Sequence, residues 1–333
     1  MIAGCGLVTE EHHLPAALGC PMVEVIALVD PNLDRARRLA RKFGCHVPLR
    51  PSLDDVVDAA EGVLVATPNH AHGLVARQAL ERGRSVLVEK PLAISSTEAN
   101  ELCRVAERNG AFISVGFVTR FYPVVTLLKR LLDERFFGRV ERFDYEHGTV
   151  GGWSPQSGYN LDARQSGGGV LLVQGTHFID RMLHWFGEPA SVSFADDSHG
   201  GVEATCRAEL RFDDGLTGTM FLSKTVELRN RLLLETERGR VELPAAETHE
   251  LVLRPRTPAG LEMRLRPCPG ASADPRPVDY FQLQVEEFAR VIRQGGAPKV
   301  DGVTAARSVR LCEALYAART SIEEPWLWYR DRR

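Results

Sequence analysis

The chain has 333 residues, enough for two domains of ordinary size with cores that need neither a disulfide nor a metal staple. Lys+Arg number 41 against Asp+Glu 44, a net charge of -3, so there is no basic excess of the kind that nucleic-acid binding calls for. No apolar run reaches the length of a membrane span, the first residues lack a signal peptide's basic region and cleavage site, and the seven cysteines show no C-x-x-C and no zinc spacing; a cytoplasmic protein with reduced thiols, no metal, no membrane and no nucleic-acid partner is expected.

Gly4-Cys5-Gly6-Leu7-Val8-Thr9 follows a hydrophobic start and precedes a helical pattern. Gly4 permits a tight turn, Gly6 lets a pyrophosphate approach the backbone, and the helix start behind Leu7 and Val8 offers N–H donors and a positive dipole end. Thr9 stands where a third Gly or Ala is usual, and only Met1, Ile2 and Ala3 precede Gly4, so either the first strand is very short or residues belong ahead of Met1. Val23 to Val29 reads as a buried strand ending at Asp30, about 24 residues after Gly6, the offset at which an acid meets the adenosine ribose. That acid favours NAD over NADP, while Arg35 and Arg37 argue the other way. Leu33 to Phe43 reads as a basic amphipathic helix.

Strand and helix patterns then alternate: Gly62–Ala66, His72–Arg82, Ser85–Val88, Thr97–Asn109 and Phe112–Val115. Alternating βα units at this spacing predict a parallel, doubly wound sheet. Its strand C-termini line the ligand crevice. Ala66-Thr67-Pro68-Asn69-His70-Ala71-His72 ends one strand, and Glu89-Lys90-Pro91 ends the next. A lysine fixed at that edge is placed to meet a bound nicotinamide. Near Phe117 the character changes, giving domains 1–118 and 119–333. Tyr122 to Glu134 reads as a linking helix, and period-two stretches follow: Val202–Phe212, Leu216–Leu222 after an Asp214-Gly215 turn, Asn230–Glu235, Arg240–Leu243, Glu250–Leu253 and Leu261–Leu265. These predict a largely antiparallel sheet with one covered face. Helices about 280–294 and 303–320 close the chain.

The order of these motifs resembles the glucose–fructose oxidoreductase / inositol dehydrogenase / MocA (Gfo/Idh/MocA) family. The resemblance runs through Gly4-x-Gly6, His12-His13-Leu14-Pro15-Ala16, Leu28-Val29-Asp30, Ala66-Thr67-Pro68-Asn69-x-x-His72, Glu89-Lys90-Pro91 and Arg120-Phe121-x-Pro123. It continues through Ser166-Gly167-Gly168-Gly169-Val170-Leu171-Leu172 and Gly175-x-His177-x-x-Asp180 to Tyr280-Phe281. It implies an α/β chain with an N-terminal Rossmann domain and a C-terminal α/β domain whose open sheet commonly makes homodimer or homotetramer contacts. It also implies a nicotinamide cofactor and a small sugar, sugar derivative or cyclitol substrate. By matching position, Lys90 is the catalytic lysine and His177 the active-site histidine, with Thr67, Asn69, His72 and Glu89 along the cofactor beside Ala66 and Pro68. Val173 departs from the family, many of whose members carry an aspartate there.

Oxidising a secondary alcohol needs a cation near the reacting oxygen, a role for Lys90, and a proton acceptor, a role for His177. Gln174, Arg120 and, in the loop before the glycines, Trp153 and Tyr159 are candidate substrate contacts. Asp180 and His184 read as structural helix residues, and His12 and His13 as cap and packing residues. The expected activity is an NAD(P)-dependent dehydrogenase or reductase acting on CH–OH groups. A net non-redox enzyme with transient oxidation and a non-catalytic NAD- or sugar-responsive protein stay open as alternatives.

Overall fold

The computed structural model describes residues 1–54, 56–151, 158–246, 249–258, 260–267 and 277–322. These fall into two compact units, one formed by residues 1–121 and the described part of 273–310, the other by the described parts of 122–272 and 311–333.

The first unit begins with β1 (Ile2–Ala3), α1 (Leu14–Gly19), β2 (Leu28–Val29), α2 (Leu33–Phe43) and β3 (Leu49–Arg50). It continues with β4 (Gly62–Val65), α3 (Asn69–Glu81), β5 (Ser85–Val88), α4 (Ser96–Arg108) and β6 (Ile113–Val115). All six strands pair in parallel in the order β3-β2-β1-β4-β5-β6. Successive strand residues point to opposite faces. Ile2, Leu28, Leu64 and Leu87 therefore pack in one apolar cluster, and Ala3, Val29, Val65 and Val88 in another. With both faces covered, the strands read as near-continuous apolar runs, as a buried parallel sheet requires. The helix boundaries have chemical causes. Asn32 caps α2 by accepting from the Asp34 N–H, Ser95 caps α4 by accepting from the Glu98 N–H, and Gly44 ends α2 in the left-handed region.

The second unit contains α5 (Pro123–Asp133), β7 (Val140–Gly148), α6 (Ala163–Ser166), α7 (Thr176–Phe186), β8 (Ser191–Asp196), β9 (Thr205–Arg211) and β10 (Thr217–Ser223). There follow β11 (Arg231–Thr236), β12 (Gly239–Pro244), β13 (Leu251–Pro255) and β14 (Met263–Leu265). Two helices close the chain, α8 (Pro277–Gln294) and α9 (Gly302–Ala317), with β15 (Arg319–Ser321) behind them. The nine-stranded sheet runs β14-β13-β12-β11-β7-β10-β9-β8-β15. It is antiparallel except at β7/β10 and β8/β15. One face packs on α7 around Phe143, whose buried ring stacks on Phe186 and meets Phe178 and Phe212 edge-on. Gly218 makes room for that ring: a Cβ there would lie 2.0 Å from Phe143 Cζ. The opposite face carries charge pairs such as Arg142–Asp144, Arg254–Glu242 and Arg240–Glu235.

Three features differ from the sequence reading. The first boundary lies after Phe121 rather than 118, and α8 belongs to the first unit, where Val285 and Phe288 fill the same cluster as Leu14 and Leu39. α9 serves both units: Ala305, Ala306 and Val309 join the first core, and Leu311, Cys312 and Leu315 the second. The strands β3, β7, β8 and β15 were not expected. In β7, Phe143 and Tyr145 alternate with charged residues, so its apolar content is too low to read as a central strand.

Candidate active site

The glycine loop is built for close backbone approach. Gly4 has φ +97°, and a Cβ on it would lie 2.3 Å from the Ala66 carbonyl oxygen. Gly4 is therefore locked against the end of β4 at a position where a side chain strains the backbone whatever the space. Around a Cβ on Gly6 there is open space. Thr9, in the third position, is fully buried, and its hydroxyl donates to the Gly4 carbonyl at 2.7 Å. Threonine thus closes the turn with a hydrogen bond instead of the small size that a glycine contributes. Leu7 and Val8 lead into a π turn, Thr9–His13, ahead of α1. Gly4→Ala is expected to reduce both stability and dinucleotide affinity, by several kcal/mol in all, because strain and clash add. A melting curve and an NADH titration check it, and native values for both would contradict it.

Asp30 is buried at the end of β2. Its Oδ2 accepts the Cys5 N–H at 2.9 Å and its Oδ1 the Asn32 N–H at 2.8 Å. These two bonds fix the carboxylate beside the glycine loop and leave acceptor capacity for a ribose hydroxyl. Of the basic residues on α2, Arg38 and Lys42 are engaged by buried Glu10 at 2.5 and 2.8 Å, and Arg37 pairs with Asp34. Arg35 is exposed.

Lys90 lies just past β5, in a turn held on both sides by buried histidines. On one side Glu89 Oε1 meets His13 Nε2 at 2.7 Å while Glu89 Oε2 accepts the Lys90 N–H at 3.1 Å. The Lys90–Pro91 bond is cis. On the other side, His72 Nδ1 lies 2.7 Å from the Pro91 carbonyl and its Nε2 2.8 Å from the Thr67 carbonyl. Burial lowers the His72 pKa against the pull of these carbonyls. Both ring nitrogens of His72, which is expected along the cofactor, lie against carbonyls that link the Thr67 loop to the Lys90 turn. His13 is no mere packing residue, since it holds Glu89 from 76 positions away. Nothing in spacing pointed to that pair. Thr67 and Pro68 are half-buried and Ala66 and Asn69 buried, all at the end of β4 and the start of α3. Thr67 Oγ1 is buried with no hydrogen-bond partner among the described residues.

Arg120 is buried in a short turn of the first unit, and its carbonyl accepts from Lys299 Nζ at 3.4 Å.

In the second unit, His177 sits half-buried in the first turn of α7, and its carbonyl accepts the Arg181 Nε–H at 3.3 Å. The turn before α7, Leu171–Gly175, is a π turn, so Val173 and Gln174 stand off the even α-helical spacing of the helix that follows. Gln174 Oε1 is buried without a partner among the described residues. Asp180 is buried within α7. The glycines ahead of α7 have steric causes. A Cβ on Gly168 would lie 1.9 Å from Tyr316 Oη, and one on Gly169 2.0 Å from the Glu203 carbonyl oxygen. Glu203, fully buried, accepts from the N–H groups of Gly169 and Leu171 and from Tyr316 Oη, anchoring the start of the helix that carries His177. Tyr159 is half-buried in the turn Gly158–Leu161, whereas Trp153 lies outside the described residues.

The profile of an oxidoreductase family with an NAD-binding Rossmann fold, Gfo/Idh/MocA, matches residues 1–117, and that of the family's C-terminal domain matches residues 125–242. The chain belongs to the Gfo/Idh/MocA family. Among relatives of this oxidoreductase is an uncharacterized oxidoreductase of Rhizobium meliloti, 29% identical over 306 residues, covering 88% of each chain. Another is the scyllo-inositol 2-dehydrogenase (NAD+) of Bacillus subtilis, 24% identical and covering 91% of this chain and 89% of that one. A levoglucosan dehydrogenase, solved in complex with NADH and levoglucosan, superposes with a TM-score of 0.82 at 20% identity over 95% of each chain, a likeness of fold. The Gfo/Idh/MocA cofactor, a nicotinamide dinucleotide, fits the first unit. The Gly4 cradle, the open space over Gly6, the fixed Asp30 carboxylate and the orphaned Thr67 hydroxyl are the donor, acceptor and clearance set that a dinucleotide fills.

Proposed function

We propose that the protein transfers a hydride between NAD and a secondary alcohol or ketone of a sugar, sugar derivative or cyclitol. The observation that carries this reading is Lys90, held at the C-terminal end of β5 by Glu89, His13 and His72, in the same unit as the glycine cradle and the orphaned Thr67 hydroxyl. Gly4, Gly6, Leu7, Val8, Asp30, Ala66, Thr67, Pro68 and Asn69 hold the dinucleotide. Glu89 and His72 act on it through the Lys90 turn. When bound, the nicotinamide accepts or returns the hydride. The carbinol carbon loses its C–H as hydride and the hydroxyl loses its proton, so the alcohol is oxidised by two electrons to the ketone. The Lys90 ammonium stabilises the developing alkoxide, and His177 takes the proton and passes it to solvent. Valine at 173 cannot accept a proton, which leaves His177 as the proton carrier on its helix. Arg120, Tyr159, Gln174 and Trp153 are assigned to substrate contacts.

NAD over NADP follows from Asp30, whose fixed charge repels a 2′-phosphate. The names of the inositol and levoglucosan dehydrogenases support a polyol substrate. Incubation with NAD and a panel of sugars and cyclitols is expected to raise the absorbance of reduced nicotinamide. Tight cofactor binding with no such change across the panel would contradict the reading.

A further inference from the structure

The second unit carries a buried cation that this reaction scheme does not use. Lys224 directly follows β10 and is 6% exposed. Its backbone is pinned on both sides: its N–H donates to the Ala204 carbonyl at 2.8 Å, and its carbonyl accepts the Gly151 N–H at 2.9 Å. Among the described residues, no hydrogen bond or ion pair engages its ammonium.

The register places its neighbours. Leu222 lies opposite His147 and Ser223 opposite Gly148 in the β10/β7 pair. Leu222 faces the helical side, where its Cδ1 would lie 2.6 Å from a Cβ on Gly175, and alternation puts Lys224 on that side too. His147 stacks with Tyr145, which stacks on Phe178 of α7 at 3.8 Å. Arg181 lies over the Tyr145 ring at 6.0 Å and donates to the His177 carbonyl. His147 Nδ1 is buried with no partner among the described residues. Burial lowers the pKa of Lys224; that of His147 is lowered by burial and then by the charges of Lys224 and Arg181.

A buried cation without a counter-charge is costly, and here the imidazole of His147 stands near it, itself flanked by a second cation, Arg181. An anion is the group that relieves all three. We propose that Lys224 and His147 form a subsite for an anionic substituent, a carboxylate or a phosphate, on the sugar or cyclitol substrate. The inference deepens the proposed function and rests on its substrate class.

The test is calorimetric titration of the NADH-loaded protein with glucose, glucuronate and glucose 6-phosphate. At least one anionic sugar is expected to bind about 10-fold tighter than glucose or better, with the advantage shrinking as salt rises. The anion that binds tighter separates carboxylate from phosphate. Lys224→Met is expected to abolish the advantage and leave glucose unaffected, whereas Lys224→Arg keeps much of it. Equal binding of charged and neutral sugars, no binding of any, or an equal loss for all three in Lys224→Met would overturn the proposal. The wild-type ratio decides the matter even if Lys224→Met fails to fold. Lys90→Met separates the two proposals: anion preference without turnover supports both, and turnover surviving in Lys90→Met sinks the hydride scheme while leaving the subsite standing.

Discussion

Lys90→Met is expected to lower kcat/KM by about a thousandfold, the scale of losing one preorganised charge at a developing oxyanion. NADH affinity should stay within roughly threefold, because most of the proposed dinucleotide contacts lie on residues other than Lys90. The substitution keeps most of the stem's volume and removes only the charge. It should not unfold the turn, whose geometry rests on backbone groups: the Lys90 N–H on Glu89, and the Pro91 carbonyl on His72. The loss belongs in kcat, since an alkoxide forms only as the reaction proceeds. Steady-state kinetics with a fluorescence titration of NADH checks both halves. A fall of less than roughly tenfold would mean that the ammonium is not the group that stabilises the reacting oxygen.

Asp30→Ser carries the second large effect. The wild-type carboxylate is fixed by the Cys5 and Asn32 N–H groups and is buried, so its charge is weakly screened. Placing a 2′-phosphate against it costs several kcal/mol, and removing it should shift the NAD-to-NADP preference by about a hundredfold toward NADP. Affinity for NAD falls as well, because the Cys5 N–H loses its acceptor and the glycine loop its tie. Exposed Arg35 and Arg37 stand on α2 to favour the extra phosphate once the acid is gone. The ratio of kcat/KM for the two cofactors measures the effect, and an unchanged ratio would show that Asp30 serves only as a loop brace.

Much of the first unit was legible because its chemistry is local. Gly4 and Gly6, the capped helix at 33–43 and the apolar run Ser85–Val88 each carry their signal within a few residues, and α2 and β5 have the boundaries that the pattern predicts. What was not legible depends on distant contacts. His13 and Glu89 are 76 residues apart and meet only once the sheet has formed. The helices α8 and α9 follow most of the second sheet in the chain, yet most of their described residues belong to the first unit; the Pro/Ala-rich stretch 267–277 marks a break in the chain but not a return to the first unit. β7 was missed because only Phe143 and Tyr145 interrupt its charged residues, too little apolar content to read as a central strand, although it is the strand on which β10 and β11 pair.

Around the candidate site the same division holds. Motif residues such as Lys90 and His177 were visible from the order of short signatures. The π turn at Leu171–Gly175 was not, because Leu171, Leu172, Val173 and Gln174 carry no local signal that separates a π turn from the α-helix that follows. Gly168 and Gly169 were visible as a motif, but their cause lies in Tyr316 and Glu203, far along the chain. Lys224 was invisible for a different reason: a lysine at a strand end reads as solvated until its burial is known.

The most direct measurement follows a labelled hydrogen. Incubating the wild-type protein with NAD and a panel of sugars and cyclitols deuterated at their carbinol carbons should place deuterium on the nicotinamide ring, in equal amount to the ketone formed. Reduced nicotinamide lacking the label, or ketone formation without any reduced nicotinamide, would contradict hydride transfer as the function of this protein.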